Sequence, residues 1–405
     1  MRTLVNQKNA IFLLWSLFLN PVFMCDAGDA FIDGAKKTEK TKSENANAKK
    51  KKKSNGGKRP AVDLAILLDT SNSMDGLISQ ARNQLWTIVQ QIAEAERNGQ
   101  KPMMRVAVFE YGNSKLPASE DYLRQVVQLT DDLDKVSEGL FTLETDGGDE
   151  YCGAVIEQAI ARLDWSTKRN AYKAIYIAGN EPFNQGEVRY EESCRAAIEN
   201  GIIVNTIHCG NYDRGVAGGW KRGADLAEGK FMNINQDRKV EQIKTPQDPI
   251  IIQLNVELNR TYLWYGENTQ RKSLAENQVK QDQNAISAGA SISRIATKAG
   301  QAYSNRGRDL VDSLKVDSKV LDKISVELLP EEMQKMTLQQ RKNHVAMMAT
   351  KRAEIQKKIS EANKLRADFL DAQQKASPAP ADATFGQAIG NSVETQLEEF
   401  GFEVK

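Results

Sequence analysis

The chain has 405 residues, 40% hydrophobic and 27% charged, with 55 Lys and Arg against 54 Asp and Glu. Those fractions are ordinary for soluble globular proteins and exclude wholesale disorder and a polytopic membrane protein; four Cys and two His are too few for a disulfide scaffold or a Cys/His zinc framework. The net charge of +1 conceals a division, because residues 34–59 carry eleven Lys and Arg against Glu39 and Glu44, a net of +9, which leaves residues 60–405 as an acidic body of net −7.

In chain order, Arg2 and Lys8 precede an apolar run over 11–19, which Asn20-Pro21 breaks. Residues 1–27 read as an export signal, with Cys25 and Ala27 at −3 and −1 of a cut and Ala30 marking a second site. The run is shorter than the ~20 residues of a spanning helix. A lipidated Cys25 is the alternative, disfavoured by the bulky Val22-Phe23-Met24 before it. The expected location is secreted, or periplasmic and cell-envelope. Residues 34–59 hold almost nothing apolar, and 28–60 are expected to be a disordered Lys-rich linker. Its basic part, 36–59, is a solvated spacer or a tether to a polyanionic surface; no specific nucleic acid is indicated.

From residue 61 the pattern alternates strand and helix. The run 62–68 (VDLAILL) is continuously apolar, as in a strand buried on both faces. Leu77, Ala81, Leu85, Ile88 and Ile92 then keep helical spacing. Strands are predicted over 105–112, 122–129, 174–178, 202–208 and 231–235, with helices over 154–163, 191–199 and near 223–228. Repeated units of this kind predict an α/β fold over 61–235: a doubly wound, mostly parallel sheet. Ligands bind such sheets at the carboxyl ends of the strands.

Those ends are rich in oxygen. Asp69, Ser71 and Ser73 alternate after the first strand, so that an extended loop turns all three toward one point. A second acidic loop runs from Thr145 through Gly147-Gly148 to Asp149 and Glu150, and Gly179-Asn180-Glu181 follows the 174–178 strand. Hard divalent cations take oxygen ligands of this type, with Mg²⁺ expected first and Mn²⁺ or Ca²⁺ as alternatives.

LLDTSNSM after a buried strand, in this order of elements, resembles the DxSxS signature of the von Willebrand factor type A domain, whose metal-ion-dependent adhesion site matches Asp69, Ser71 and Ser73. The runs GGDEYCG, AGNEPFNQG and GIIVNTIHCG further resemble exported bacterial members of uncharacterised role. The resemblance implies a loop Thr as another ligand, a role open to Thr145 or Asp149, with Asp149 favoured by loop position. It also implies an Asp after the fourth strand, where this chain has Ala178-Gly179-Asn180, leaving Asn180 or Glu181 as substitutes.

No catalytic pattern competes. A dehalogenase-like phosphohydrolase needs a second Asp where Ser71 stands, no GxxxxGK[ST] or GxSxG occurs, and His208, near a buried strand end, reads as structural. The protein is therefore not expected to be an enzyme. With Cys25 removed, Cys152, Cys194 and Cys209 remain, and Cys194–Cys209 is the favoured disulfide.

Residues 236–320 are expected to pack on the domain and continue into helices. Residues 321–375 are expected to form amphipathic, coiled-coil-like helices, with Thr337 and Gln340 as a capping box. Leu338, Val345, Met348, Ile355, Ile359, Ala362 and Phe369 keep heptad-like spacing, but Arg341, Arg352 and Arg366 fall on the seam, so the helix either folds back on its own chain or mediates self-association. Residues 376–405 are expected to be a flexible tail. The function expected is an exported, divalent-metal-dependent binding module engaging a protein ligand through an exposed Asp or Glu; the alternative is a metal-free structural envelope protein acting through its basic leader and helices.

Overall fold

The structure is a computed structural model that describes residues 59–238, 243–376 and 384–404. The export signal, nearly all of the Lys-rich linker and residues 377–383 lie outside the described residues. A six-stranded sheet is built from β1 (Ala61–Asp69), β2 (Met103–Tyr111), β3 (Leu123–Thr130), β4 (Tyr172–Gly179), β5 (Ile203–Cys209) and β6 (Phe231–Ile234). Its order is β3-β2-β1-β4-β5-β6. β3 runs antiparallel to β2 and every other pair is parallel, as the strand-helix alternation predicts.

Every residue of β1 is buried, and alternate side chains enter two separate cores. Val62, Leu64, Ile66 and Leu68 join Tyr172, Tyr176 and Ile207 on one face; Ala65, Leu67, Ile175, Ile177 and Val204 enter the other. The second face is covered by α3 (Cys152–Arg162), α4 (Tyr190–Glu199) and the short α5 (Tyr212–Ala217) and α6 (Trp220–Leu226). The first is covered by α1 (Asp75–Glu94) and α2 (Leu133–Thr142), together with helices from the far end of the chain.

After the sheet come α7 (Asp248–Asn259), α8 (Asn268–Ser287), α9 (Ser291–Ala299), α10 (Leu310–Leu314), α11 (Val320–Lys323), α12 (Glu331–Gln334), the 39-residue α13 (Leu338–Ala376) and α14 (Phe385–Glu399). Thr337 and Gln340 form the predicted capping box, through Gln340 N to Thr337 Oγ1 at 3.3 Å and Thr337 N to Gln340 Oε1 at 2.8 Å. The three seam arginines of α13 bind their own chain. Arg352 is fully buried, pairs with Asp309 and Asp312, and lies 4.1 Å over the ring of Tyr262. Arg366 pairs with Asp248, and Arg341 donates to the carbonyls of Met333 and Gln334. A helix with such cations on its inner face packs where matched carboxylates wait.

The flexible tail expected over 376–405 is a correction. Residues 385–399 form α14, whose Phe385, Ile389, Val393 and Leu397 are buried in the first core. Gly386 and Gly390 let it approach α1 closely, since a Cβ at either would fall within 2.2 Å of the Gln84 or Gln91 side chain. Gln396 fixes the register. Its Oε1 accepts from Tyr172 and Asn205 at 2.6 and 3.1 Å, and its Nε2 donates to Asn205 Oδ1 at 2.8 Å, so buried polar groups of β4 and β5 are satisfied by the last helix. Sequence inspection missed it because the preceding SPAPADATFG run reads as the end of ordered chain.

The expected Cys194–Cys209 disulfide is also a correction: Cys152, Cys194 and Cys209 are all free and buried. Cys194 faces the α3/α4 core and Cys209 the α1/α14 core, so the sheet itself separates them.

A second buried network ties α2 to the later helices. Arg294 donates to Asp134 and Asp282 at 2.7 and 2.6 Å, Lys298 lies 3.0 Å from Asp282, and Asn255 and Asn259 also donate to that carboxylate. Burial raises the Asp282 carboxyl, but Lys298 and Arg294 outweigh it and hold it down at about 2. A carboxyl depressed on folding stabilises the protein above its unfolded value of 3.8 and loses that contribution as pH falls toward 2.

Two outcomes follow. The four buried apolar side chains of α14 contribute roughly 6–12 kcal/mol as an upper figure, comparable with the whole stability of a domain, so a chain ending at residue 383 is expected to lose its cooperative urea transition. The stability gap between the intact protein and Asp282→Asn is expected to narrow steadily between pH 4 and pH 2, measured as the difference in urea midpoints.

Candidate metal centre

β1 ends at Asp69, whose side chain is fully buried. Its neighbours are backbone-thin by necessity. A Cβ on Gly179 would stand 3.0 Å from Asp69 Oδ2 and 2.5 Å from the Tyr111 hydroxyl. A Cβ on Gly112, at φ +76°, would stand 2.9 Å from Asp69 Oδ1 and 2.8 Å from Glu150 Cγ. Both carboxylates thus close over one point above Gly112.

The DxSxS loop turns at this carboxylate. Ser71 N donates to Asp69 Oδ1 at 2.8 Å, the Ser71 and Ser73 hydroxyls lie 3.5 Å apart, and Asn180 Nδ2 donates to Ser73 Oγ at 3.0 Å. Asp69, Ser71 and Ser73 are thus neighbours at the strand end, and Asn180 from the loop after β4 joins them. His208 sets the position of Asn180: its Nε2 is 3.3 Å from the Asn180 carbonyl and its Nδ1 is 3.0 Å from Asn233 Oδ1.

The acidic loop is placed differently from the sequence expectation. Thr145 is half-buried, its hydroxyl donating to Asp75 Oδ1 at 2.6 Å. Asp149 is exposed and accepts from the Tyr151 hydroxyl at 3.2 Å. The buried carboxylate of this loop is Glu150, only 7% exposed. A signal for it exists: residues 150 and 152 fall on one side of an extended segment, and Cys152 opens the buried face of α3. Glu181 is exposed on the rim, where its charge acts on both Asp69 and Glu150.

Burial, and then neighbouring carboxylates, push these acids up. Asp69 rises to about 7, mainly through burial and further through the charge of Glu181, against the opposing bond from Ser71. Glu150 also rises to about 7, through burial and the charges of Asp69 and Glu181. Asp69 Oδ2 and Asn180 Oδ1 are buried without a hydrogen-bond partner. Unpartnered buried oxygens are costly, and two of them beside two hydroxyls and a second carboxylate fit a hard divalent cation. Among the described residues no group of three or more His, Cys, Asp or Glu side chains forms a ligand set, so the donors here are mixed carboxylate, hydroxyl and amide oxygens.

A methyl group above Gly112 would meet both carboxylates while the backbone keeps a left-handed φ. Gly112→Ala is expected to lower stability in EDTA by about 1–3 kcal/mol, read from the urea midpoint.

Residues 63–217 match the family model for the von Willebrand factor type A domain. Similar solved structures include proximal thread matrix protein 1 from the mussel byssus, at 15% identity and TM-score 0.34 over 44% of this chain and 43% of that one. This chain thus spans less than half of the mussel protein's length. The SpRpn10 VWA domain matches at 15% identity and TM-score 0.34 over 44% of this chain and 89% of that one. BatB from Bacteroides thetaiotaomicron matches at 14% identity and TM-score 0.33 over 55% of this chain and 99% of that one. No curated protein matches the sequence.

Proposed function

We propose that the von Willebrand factor type A domain formed by residues 63–217 makes this chain a divalent-metal-dependent protein-binding module, exported and without catalytic activity. The observation that carries the reading is the pair of buried, unpartnered oxygens, Asp69 Oδ2 and Asn180 Oδ1, at the carboxyl ends of adjacent strands β1 and β4.

Asp69, Ser71 and Ser73 would hold the ion, with Glu150 and Asn180 completing the oxygen set. When bound, a divalent cation would offer a coordination position that a carboxylate from a partner could take in place of water. The chain's own part is preorganisation. Gly112 and Gly179 let the backbone crowd Asp69, Tyr111 donates to the Ala178 carbonyl at 3.0 Å under the strand end, and His208 anchors Asn180.

Export rests on the basic and apolar pattern of residues 1–27. Among the described residues no helix is long and apolar enough to cross a membrane.

The test is metal binding to the purified protein, followed by calorimetry with Mn²⁺ and Mg²⁺. Asp69→Ala is expected to abolish uptake and Glu150→Gln to weaken it by about tenfold or more, whereas Asp149→Ala stays near the parent affinity. Equal binding by Asp69→Ala and the parent would place any ion elsewhere and leave the metal-free structural reading.

A further inference from the structure

The opposite end of the sheet holds a second concavity. Arg59, just before β1, and Arg306, in the loop after α9, line both a cleft of about 690 Å³ and a smaller recess beside it, with Gln301 and Ser304 shared between the two. The inner wall of the cleft is Tyr262 and Tyr303, both largely buried. A volume of this size suits a small molecule rather than a bare ion.

The charges around it are matched except at the mouth. Arg352 is neutralised by Asp309 and Asp312, Lys315 reaches Asp312 at 2.9 Å, and Arg306 reaches Asp131 at 2.8 Å. Arg59 differs. Among the described residues its hydrogen bonds go to the backbone carbonyls of Lys101 and Pro102, at 3.1 and 2.9 Å, which satisfy N–H donors without offsetting a charge. Burial and the charge of Arg306 both disfavour its protonated form, so the two guanidiniums are near enough to repel. Arg59, without a carboxylate among the described residues, and Arg306 beside it on one cleft call for an anion with several oxygens, and planar guanidinium forks suit a phosphate group.

The geometry points to a binding site for a small phosphate ester between Arg59 and Arg306, with Gln301 and Ser304 as further polar contacts and the tyrosine wall facing the organic part. The site is independent of the metal centre. The experiment is isothermal titration of the full-length protein with glycerol 3-phosphate and with inorganic phosphate, in EDTA so that no metal-held phosphate contributes. Saturable one-to-one binding is expected, weakened about tenfold by Arg59→Gln or by Arg306→Gln, and unchanged when the five lysines at 49–53 are replaced by Gln. Absence of saturable binding overturns the proposal. So does binding that survives both arginine variants and falls with the lysine variant, which assigns the phosphate to the basic leader instead.

Discussion

A sheet whose central strand is buried along its whole length must be covered on both faces, and that requirement organises the rest of the molecule. The chain between β2 and β6 supplies α3, α4 and α6 for one face, but the other receives only α1 and α2 locally. α14 completes that second layer from the end of the chain, locked by Gln396 to Asn205 and Tyr172 and pressed on α1 through Gly386 and Gly390. Helices α7 to α13 are therefore an insertion, with both of its ends fastened to the same sheet.

The insertion is held by buried ions as much as by apolar contact. Arg294, Lys298 and Arg352 lose nearly all contact with solvent, and each is met by carboxylates from other helices. Buried pairs of this kind add little net stability over apolar packing, but removing one partner strands the other charge, so they favour one arrangement of the helices over its neighbours. The inward-facing arginines of α13 are the clearest case, because a repeat that resembles a coiled coil in sequence serves here as an intramolecular helix.

Much of the α/β architecture was legible because each strand carries its own signal. The apolar run at 62–68, the alternation at 122–129 and the spacing of Leu77, Ala81 and Leu85 are local patterns, and the six strands appear in the predicted order. The convergence of Asp69, Ser71 and Ser73 was equally readable, since alternation fixes the side on which a loop residue projects. The preference for Asp149 over Thr145 left Glu150 out of account, although Glu150 is the buried carboxylate of that loop: adjacent residues face opposite ways, and the phase is set by Cys152 rather than by acidity. α14 and the separation of Cys194 from Cys209 depend on which face of the sheet a distant segment reaches. No local pattern carries that information.

The return of the C-terminus also governs when the fold can exist. Gln80 in α1 bonds to the backbone N–H of Phe385 across 305 residues, and Glu96 pairs with Glu403. The α1 side of the sheet therefore stays open until residues 385–403 are available to cover it. Helix α1 thus waits on a segment 305 residues further along the chain, and folding is governed by the closure of one very long loop.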